Sequence, residues 1–187
     1  MVPTRERIRE AAFGEFVAKG ESGFRVSAVA SVAGCATSVL YHHYGSRAGL
    51  IEAAMTEVAT RVATSVATRG AESVDAARSS ADLASFLVGA RERAKDPSRL
   101  REEALLAHVR GSGSESEAVA SALTRIGAAR DESLAGQVAV LRARGMLKDD
   151  VDDVIVFAVL DGLDARWRDG RFDDSDVAIA RALSATT

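Results

Sequence analysis

The stretch Val26–Arg47, VSAVASVAGCATSVLYHHYGSR, contains two short helical patterns separated by Gly34. In the first pattern, apolar residues recur at the spacing of one helix face, at Val26, Val29, Ala30 and Ala33. Gly34 is typical of a helix end, where glycine adopts a positive φ without steric cost. The second pattern leaves hydrogen-bond donors and acceptors exposed but no acidic side chain. The stretch therefore predicts a helix-turn-helix whose second helix enters a DNA major groove.

The sequence that surrounds this stretch resembles a known family. TRERIREAAFGEFVAKG at Thr4–Gly20, followed by the stretch above and by LYHHYGSRAGL at Leu40–Leu50, resembles the N-terminal domain of the TetR family. These proteins are bacterial, ligand-responsive transcriptional repressors. The resemblance covers about the first third of the chain, with its motifs in a fixed order. It implies that the remaining two thirds form a helical bundle for ligand binding and dimerisation.

The resemblance also implies which residues contact DNA. The implied set is Arg25, Thr37, Ser38, Val39, Tyr41, His42, His43 and Arg47. Hydroxyl and imidazole groups can hydrogen-bond base edges, a methyl group can lie against thymine, and arginine can bind phosphate. Two positions depart from the family pattern: Val39 replaces the usual Thr, and Phe24-Arg25 stand where a Thr or Ser cap is common. Arg25 can contact phosphate or be solvated, and the Tyr41 ring can instead pack on the protein surface.

Composition and charge agree with a helical DNA-binding protein. Of 187 residues, 47% are apolar, only 5% are aromatic and two are prolines, which favours an all-α fold. The net charge is −3, but the first 50 residues carry six basic and four acidic side chains. A basic head on an acidic remainder directs one end of the protein toward DNA. The charged N-terminus and the absence of a long apolar stretch predict a cytoplasmic protein without a membrane span.

Several local signals predict the order of the helices. Ser46 is a suitable N-cap for a long helix of about Arg47–Thr68, although Gly49 stands where a capping box would have Glu. Gly70 predicts its end, and Ala71–Ser80 predicts a linker or a frayed extension. Further helices are predicted after Asp82, after Asp96-Pro97, and over residues 115–144, 151–169 and 174–183. The predicted domains are residues 1–46, which bind DNA, and residues 47–187, which bind ligand and dimerise.

The segment VIVFAVL, Val154–Leu160, is apolar on every side of a helix. A helix that is apolar all round is buried all round, so in a small bundle one side needs a partner. This pattern predicts a homodimer with a four-helix interface. The predicted interface residues are Val138, Leu141, Val156, Phe157, Leu160 and Leu163. The alternative is that this segment forms the central helix of a monomeric bundle.

The bundle is also expected to bind a small, mostly apolar ligand. Candidate lining residues are large or polar-tipped side chains at positions expected to face inward: Leu83, Phe86, Leu87, Leu105, His108 and Trp167. The alternative for each residue is plain core packing. A ligand of this kind can release DNA only if it binds the DNA-incompetent state more tightly.

The sequence offers little support for catalysis, a cofactor or a metal. It contains no nucleophile elbow, zinc-protease motif, P-loop or dinucleotide fingerprint in the required context. His42 and His43 are adjacent on a helix and cannot chelate one ion, while Cys35 is either a small core residue or an oxidant sensor. The predicted function is a ligand-released repressor that binds double-stranded DNA at a pseudo-palindromic operator. The alternatives are a constitutive or architectural DNA-binding dimer and a helical carrier or enzyme with a vestigial head.

Overall fold

The computed structural model describes residues 4–111, 116–171 and 173–185, and the fold in these ranges is built from α-helices. In chain order the helices are α1 Thr4–Gly23, α2 Val26–Ala33, α3 Thr37–Tyr44, α4 Arg47–Ser79, α5 Leu83–Ala94, α6 Pro97–Gly111, α7 Glu117–Ala143, α8 Asp153–Arg168 and α9 Asp174–Leu183. An isolated β-bridge joins Leu147 and Ser184. The predicted all-α class, with a helix-turn-helix followed by a long helix and a bundle, is confirmed.

Side-chain caps begin several helices where the sequence predicted them. Asp82 accepts a hydrogen bond from the backbone N–H of Ser85 at 2.7 Å and begins α5. Asp96 accepts one from the N–H of Ser98 at 2.9 Å and precedes Pro97 at the start of α6. Each cap satisfies a backbone donor that has no partner inside its helix. The predicted helix over residues 115–144 is observed as Glu117–Ala143; Ser116 is not helical, and residue 115 lies outside the described residues.

Helix α4 is longer than predicted. It continues through Gly70 and the predicted linker to Ser79, and Ala77 within that stretch is fully buried. The expectation that Gly70 ends the helix is wrong, because Gly70 is instead a point of close packing. A β-carbon at position 70 would lie 2.9 Å from the β-carbon of Ser133 on α7. Glycine at position 70 therefore allows α7 to approach α4, while the α4 backbone remains helical.

The chain packs as two compact units. The head unit comprises the described residues within 1–64 and 103–126, and the bundle unit those within 65–102 and 127–187. These units are defined by packing, whereas the predicted boundary after residue 46 follows the DNA-binding motif. That functional boundary stays a prediction.

The head unit has its own hydrophobic core. Its largest fully buried side chains come from α1, α2, α3, α4, α6 and α7: Ile8, Phe16, Val29, Leu40, Leu50, Leu106 and Ile126. Around this core, the Arg61 guanidinium lies 4.0 Å from the centroid of the Phe13 ring and forms ion pairs with Glu57 and Glu10. The hydrogen bond with Glu57 is the main reason that the pKa of Arg61 is raised above its usual value. These contacts hold α1 against the first part of α4.

The bundle unit has a separate core formed mainly by α5, α7 and α8. It includes Leu83, Phe86, Leu87, Val138, Leu141, Leu147, Val156, Leu160, Leu163 and Trp167. Aliphatic side chains of this size contribute about 1.5–3 kcal/mol each when they are fully buried. In the described part of the chain, no helix is both long and apolar enough to cross a membrane.

Candidate nucleic-acid interface

Most side chains of helix α3 are exposed, and one is fully buried. Leu40 is fully buried, whereas Thr37, Ser38, Tyr41, His42 and His43 are exposed and Val39 is half-buried. The exposed side chains carry hydroxyl and imidazole groups, and α3 contains no carboxylate. The predicted exposure of this face is therefore confirmed. Such a face can hydrogen-bond base edges without repelling phosphate.

The turn before α3 has the geometry that the sequence predicted. Gly34 follows α2 in the left-handed region, with φ 63° and ψ 43°. The N–H of Cys35 then donates to the carbonyl of Ala30 at 3.2 Å and completes the helix end. Cys35 itself is half-buried.

Tyr44 fixes the far end of α3 against α1. Its hydroxyl donates a hydrogen bond to the backbone carbonyl of Arg5 at 2.9 Å. The Arg5 guanidinium lies 6.0 Å from the centroid of the Tyr44 ring, at the outer limit of a cation–π contact. Arg5 is thus an exposed cation beside α3 that sequence reasoning did not single out. The tertiary contact with Tyr44 places residue 5 beside α3, and the two residues are far apart in sequence.

Arg47 is exposed, but its guanidinium is anchored to backbone carbonyl groups of the head unit. Its Nη2 donates to the carbonyl oxygen of Glu21 at 2.6 Å, and both Nη2 and Nε lie 3.4 Å from the carbonyl oxygen of Phe24. Its guanidinium also lies 5.9 Å from the centroid of the buried Phe24 ring. Arg47 therefore joins the start of α4 to the segment between α1 and α2. A phosphate contact by Arg47 would have to use the donors that remain on its five-donor guanidinium.

Arg25 lies at the start of α2 and has an exposed side chain. Its backbone is extended, with φ −118°, and its side chain makes no capping hydrogen bond. The backbone N–H of Arg25 donates instead to the Glu15 carboxylate of α1 at 3.3 Å. This arrangement leaves the Arg25 guanidinium exposed on the head unit and available for an anion.

The helix-turn-helix segment matches a known protein family. The family model described as "Bacterial regulatory proteins, tetR family" matches residues 8–54, from α1 into the first part of α4. Residues 8–54 therefore carry the DNA-binding segment of the TetR family. The family that the sequence suggested is thereby confirmed. No curated protein matches the chain at a significant level.

Solved structures extend the likeness of this chain beyond the head unit. A protein from Rhodococcus sp. described as a TetR-family transcriptional regulator is 28% identical, with 96% of this chain and 93% of that chain covered and a TM-score of 0.50. PfmR from Thermus thermophilus is 22% identical, with 97% and 94% covered and a TM-score of 0.54. A transcriptional regulator from Saccharomonospora viridis in complex with choline is 18% identical, with 96% and 92% covered and a TM-score of 0.60.

The residues predicted to line a ligand pocket do not all belong to one unit. Leu83, Phe86, Leu87 and Trp167 are buried in the core of the bundle unit. Leu105 is half-buried in the head unit, where its neighbour Leu106 is fully buried instead. His108, also in the head unit, has its ring centroid 5.5 Å from that of Phe16.

The predicted dimer residues are mostly buried inside the protomer. Leu141, Val156, Leu160 and Leu163 are between 0% and 5% exposed, as is Val138, so these residues have almost no surface to offer a partner. Val138 and Phe157 line a surface groove of about 330 Å³ between α7 and α8, together with Ala135, Ala139, Asp153 and Val154. The apolar run is therefore not buried on every side, because Val154 is 75% and Ile155 is 55% exposed.

Proposed function

We propose that this TetR-family protein is a homodimeric repressor that binds a pseudo-palindromic operator and is released from it by a small molecule. The observation that carries the proposal is the exposed face of α3, which has donors and acceptors, no acid, and a rigid attachment through Leu40 and Tyr44. A recognition helix needs both properties, because base reading requires exposed polar groups held in a fixed position.

Within this proposal, the exposed residues divide into two roles. Thr37 and Ser38, in the first turn of α3, would contact base edges, together with Val39. Tyr41, His42 and His43 would contact bases or phosphates farther along α3, while Arg25 and Arg47 would contact phosphates. Base contacts set sequence preference, and phosphate contacts set affinity and its dependence on salt.

For dimerisation, we assign the interface to the exposed apolar side of α8 and the groove beside it. Val154 and Ile155 are largely exposed, and the groove lined by Val138 and Phe157 is almost entirely apolar. Exposed apolar surface of this kind is stabilised when a partner covers it. A second copy would supply an equivalent α8 across a two-fold axis, with the two copies of α3 on successive DNA turns or a small multiple of one turn apart.

The release step requires a ligand that binds one state of the protein better than the other. A transcriptional regulator of similar fold is in complex with choline, which supports ligand binding as a property of this architecture. The bundle core around Leu83, Phe86, Leu87 and Trp167 is our candidate region for such a ligand.

The test begins with selection of a preferred duplex from a random-sequence library. The full-length protein should bind the selected duplex as a dimer, and Thr37→Ala should lose about 1–3 kcal/mol on that site only. Tyr41→Ala should weaken binding to selected and random duplexes alike. Absence of any duplex binding by the wild-type protein would overturn the proposal. Binding that no small molecule releases would favour a constitutive DNA-binding dimer.

A further inference from the structure

Arg93 lies in the last turn of α5, in the bundle unit, and little negative charge compensates its positive charge. Its side chain is partly buried, and its Nη2 atom is inaccessible to solvent and has no hydrogen-bond partner among the described residues. No carboxylate in the described ranges forms an ion pair with it, although other arginines of the same unit are paired. Arg69, for example, lies 2.7 Å from Glu102.

The charges around Arg93 do not neutralise it. Burial and the like charge of Arg99 on α6 lower the pKa of Arg93 below its usual value, while Asp164 on α8 and Glu72 on α4 act in the opposite direction. The Asp164 carboxylate, however, is already shared by two other cations. It forms ion pairs with Arg99 and with Arg168, whose Nε lies 3.3 Å away. The surroundings of Arg93 can therefore accommodate one more negative charge.

Apolar and aromatic groups lie on the other side of this cation. The Arg93 guanidinium is 5.8 Å from the centroid of the fully buried Phe86 ring. Gly89, one turn earlier on α5, leaves room for it, because a β-carbon there would lie 3.0 Å from Arg93 Nη1. The Arg93 side chain is thus positioned between an apolar core and a region of excess positive charge.

A second unsatisfied donor occurs in the same unit. Trp167 is 7% exposed, and its Nε1–H is buried without a hydrogen-bond partner among the described residues. Trp167 follows Asp164 by one helical turn on α8, so these two side chains leave the same side of that helix. Phe86 and Trp167 also belong to one hydrophobic cluster. An unpaired, partly buried cation and an unpaired buried N–H each destabilise a fold, and such groups are concentrated at binding sites.

We propose that the bundle unit binds a small monocarboxylate, whose carboxylate is held by Arg93 and whose apolar body packs near Phe86 and Trp167. This inference rests on the proposed function for the role of that molecule as the releasing ligand, and it adds the chemical class. A carboxylate matches the planar, two-pronged donor geometry of a guanidinium, and the indole N–H supplies a further donor. A cationic ligand would instead be repelled by Arg93 and Arg99.

The first experiment measures thermal unfolding of the full-length protein with matched probes. The probes are hexanoate, octanoate, benzoate and phenylacetate, each compared with its primary alcohol and its primary amine, and with inorganic phosphate as a further anion. At least one carboxylate should raise Tm in a concentration-dependent manner, as binding to the folded state requires. Equal shifts with alcohol or amine, shifts with phosphate alone, or no shift with any carboxylate would overturn the inference.

The second experiment compares Arg93→Met with Arg101→Met, an exposed arginine on α6. Arg93→Met should weaken carboxylate binding at least tenfold and raise the Tm of the ligand-free protein, because it removes an unpaired, partly buried charge. Arg93→Lys should retain part of the affinity, and Arg101→Met should change neither quantity. A ligand-free Arg93→Met protein that unfolds at a lower temperature than wild type would assign Arg93 a structural role and overturn the inference.

DNA binding is measured on the same preparations, with the selected duplex. Wild-type protein that binds DNA but no carboxylate contradicts this inference alone. Protein that binds a carboxylate through Arg93 but binds no DNA contradicts the proposed function and leaves the carboxylate site supported. Release of DNA by the carboxylate in wild type, lost in Arg93→Met, supports both.

Discussion

The backbone carbonyl oxygen of Tyr44 lies where a β-carbon on Gly49 would have to be. Tyr44 is the last residue of α3, and Gly49 lies in the first turn of α4, where its N–H donates to the Ser46 hydroxyl at 3.1 Å. Ser46 therefore caps α4 as predicted. The Glu that a capping box would place at position 49 is excluded, because any side chain there would overlap the end of α3.

We expect Gly49→Ala to destabilise the protein by about 1–3 kcal/mol, the usual range for overpacking in a closely packed region. Gly14→Ala is the matched control, because a β-carbon on Gly14 in α1 would meet no atom within 4 Å. The control should stabilise the protein by about 1 kcal/mol, since alanine favours the helix. Urea unfolding of both variants provides the comparison. Equal stability changes would contradict the close contact between Tyr44 and Gly49.

Substitutions of Arg47 and of Arg25 should differ in their effects on the stability of the protein as well as on DNA binding. Arg47→Ala removes the hydrogen bonds to the carbonyl oxygens of Glu21 and Phe24, and we expect a loss of about 1.5–3 kcal/mol. Arg25→Ala removes an exposed guanidinium and should leave the urea midpoint unchanged. It should reduce the slope of log affinity against log salt by about one. An unchanged slope would show that Arg25 is solvated in the DNA complex.

Substitutions at two neighbouring residues of α8 distinguish the proposed dimer interface from the protomer core. Ile155→Asp places a charge on exposed apolar surface, so it should produce folded monomers in analytical ultracentrifugation at micromolar concentration. Val156→Asp places a charge in the protomer core, where Val156 is fully buried, and should unfold the bundle unit. Circular dichroism distinguishes the two outcomes. A dimer that survives Ile155→Asp with unchanged affinity would move the interface to another surface.

Low pH should weaken the stabilisation of α5 by its N-cap, Asp82. The backbone N–H of Ser85 is the main reason that the pKa of Asp82 is lowered, so the ionised form stabilises the folded state. That contribution is present above the ordinary aspartate pKa of about 3.9 and is lost as the pH falls through the lower folded value. Asp82→Asn is the control, because Asn caps a helix about equally well and does not titrate. The two urea midpoints should be close at neutral pH, and the wild-type midpoint should fall below that of Asp82→Asn as the pH falls; a constant difference would contradict the prediction.

The head was predictable because its signals are local. The spacing of Val29, Ala30 and Ala33, the turn at Gly34 and the buried Leu40 all lie close together in the sequence. Helix period and turn chemistry determine such a segment largely by themselves. The exposed face of α3 followed from the same pattern, although its contacts with DNA remain predictions.

What local patterns could not determine has a common physical cause, which is packing between residues far apart in sequence. Gly70 has the local character of a helix end, but its contact with Ser133 makes it an interior residue. On α6, Leu105 and Leu106 are equally apolar, and only tertiary packing selects Leu106 for the core. Likewise, the run Val154–Leu160 is uniformly apolar, so its pattern could not identify which side faces the protomer core.

The positions of the aromatic residues divide the protein into two optically distinct parts. Both tyrosines of the chain, Tyr41 and Tyr44, lie on α3 in the head unit, and the single tryptophan, Trp167, lies in the core of the bundle unit. Indole emission therefore reports on the bundle unit alone, and the tyrosine near-ultraviolet signal reports on α3. Unfolding of the two units can be followed separately in the wild-type protein, without an added dye or an engineered residue.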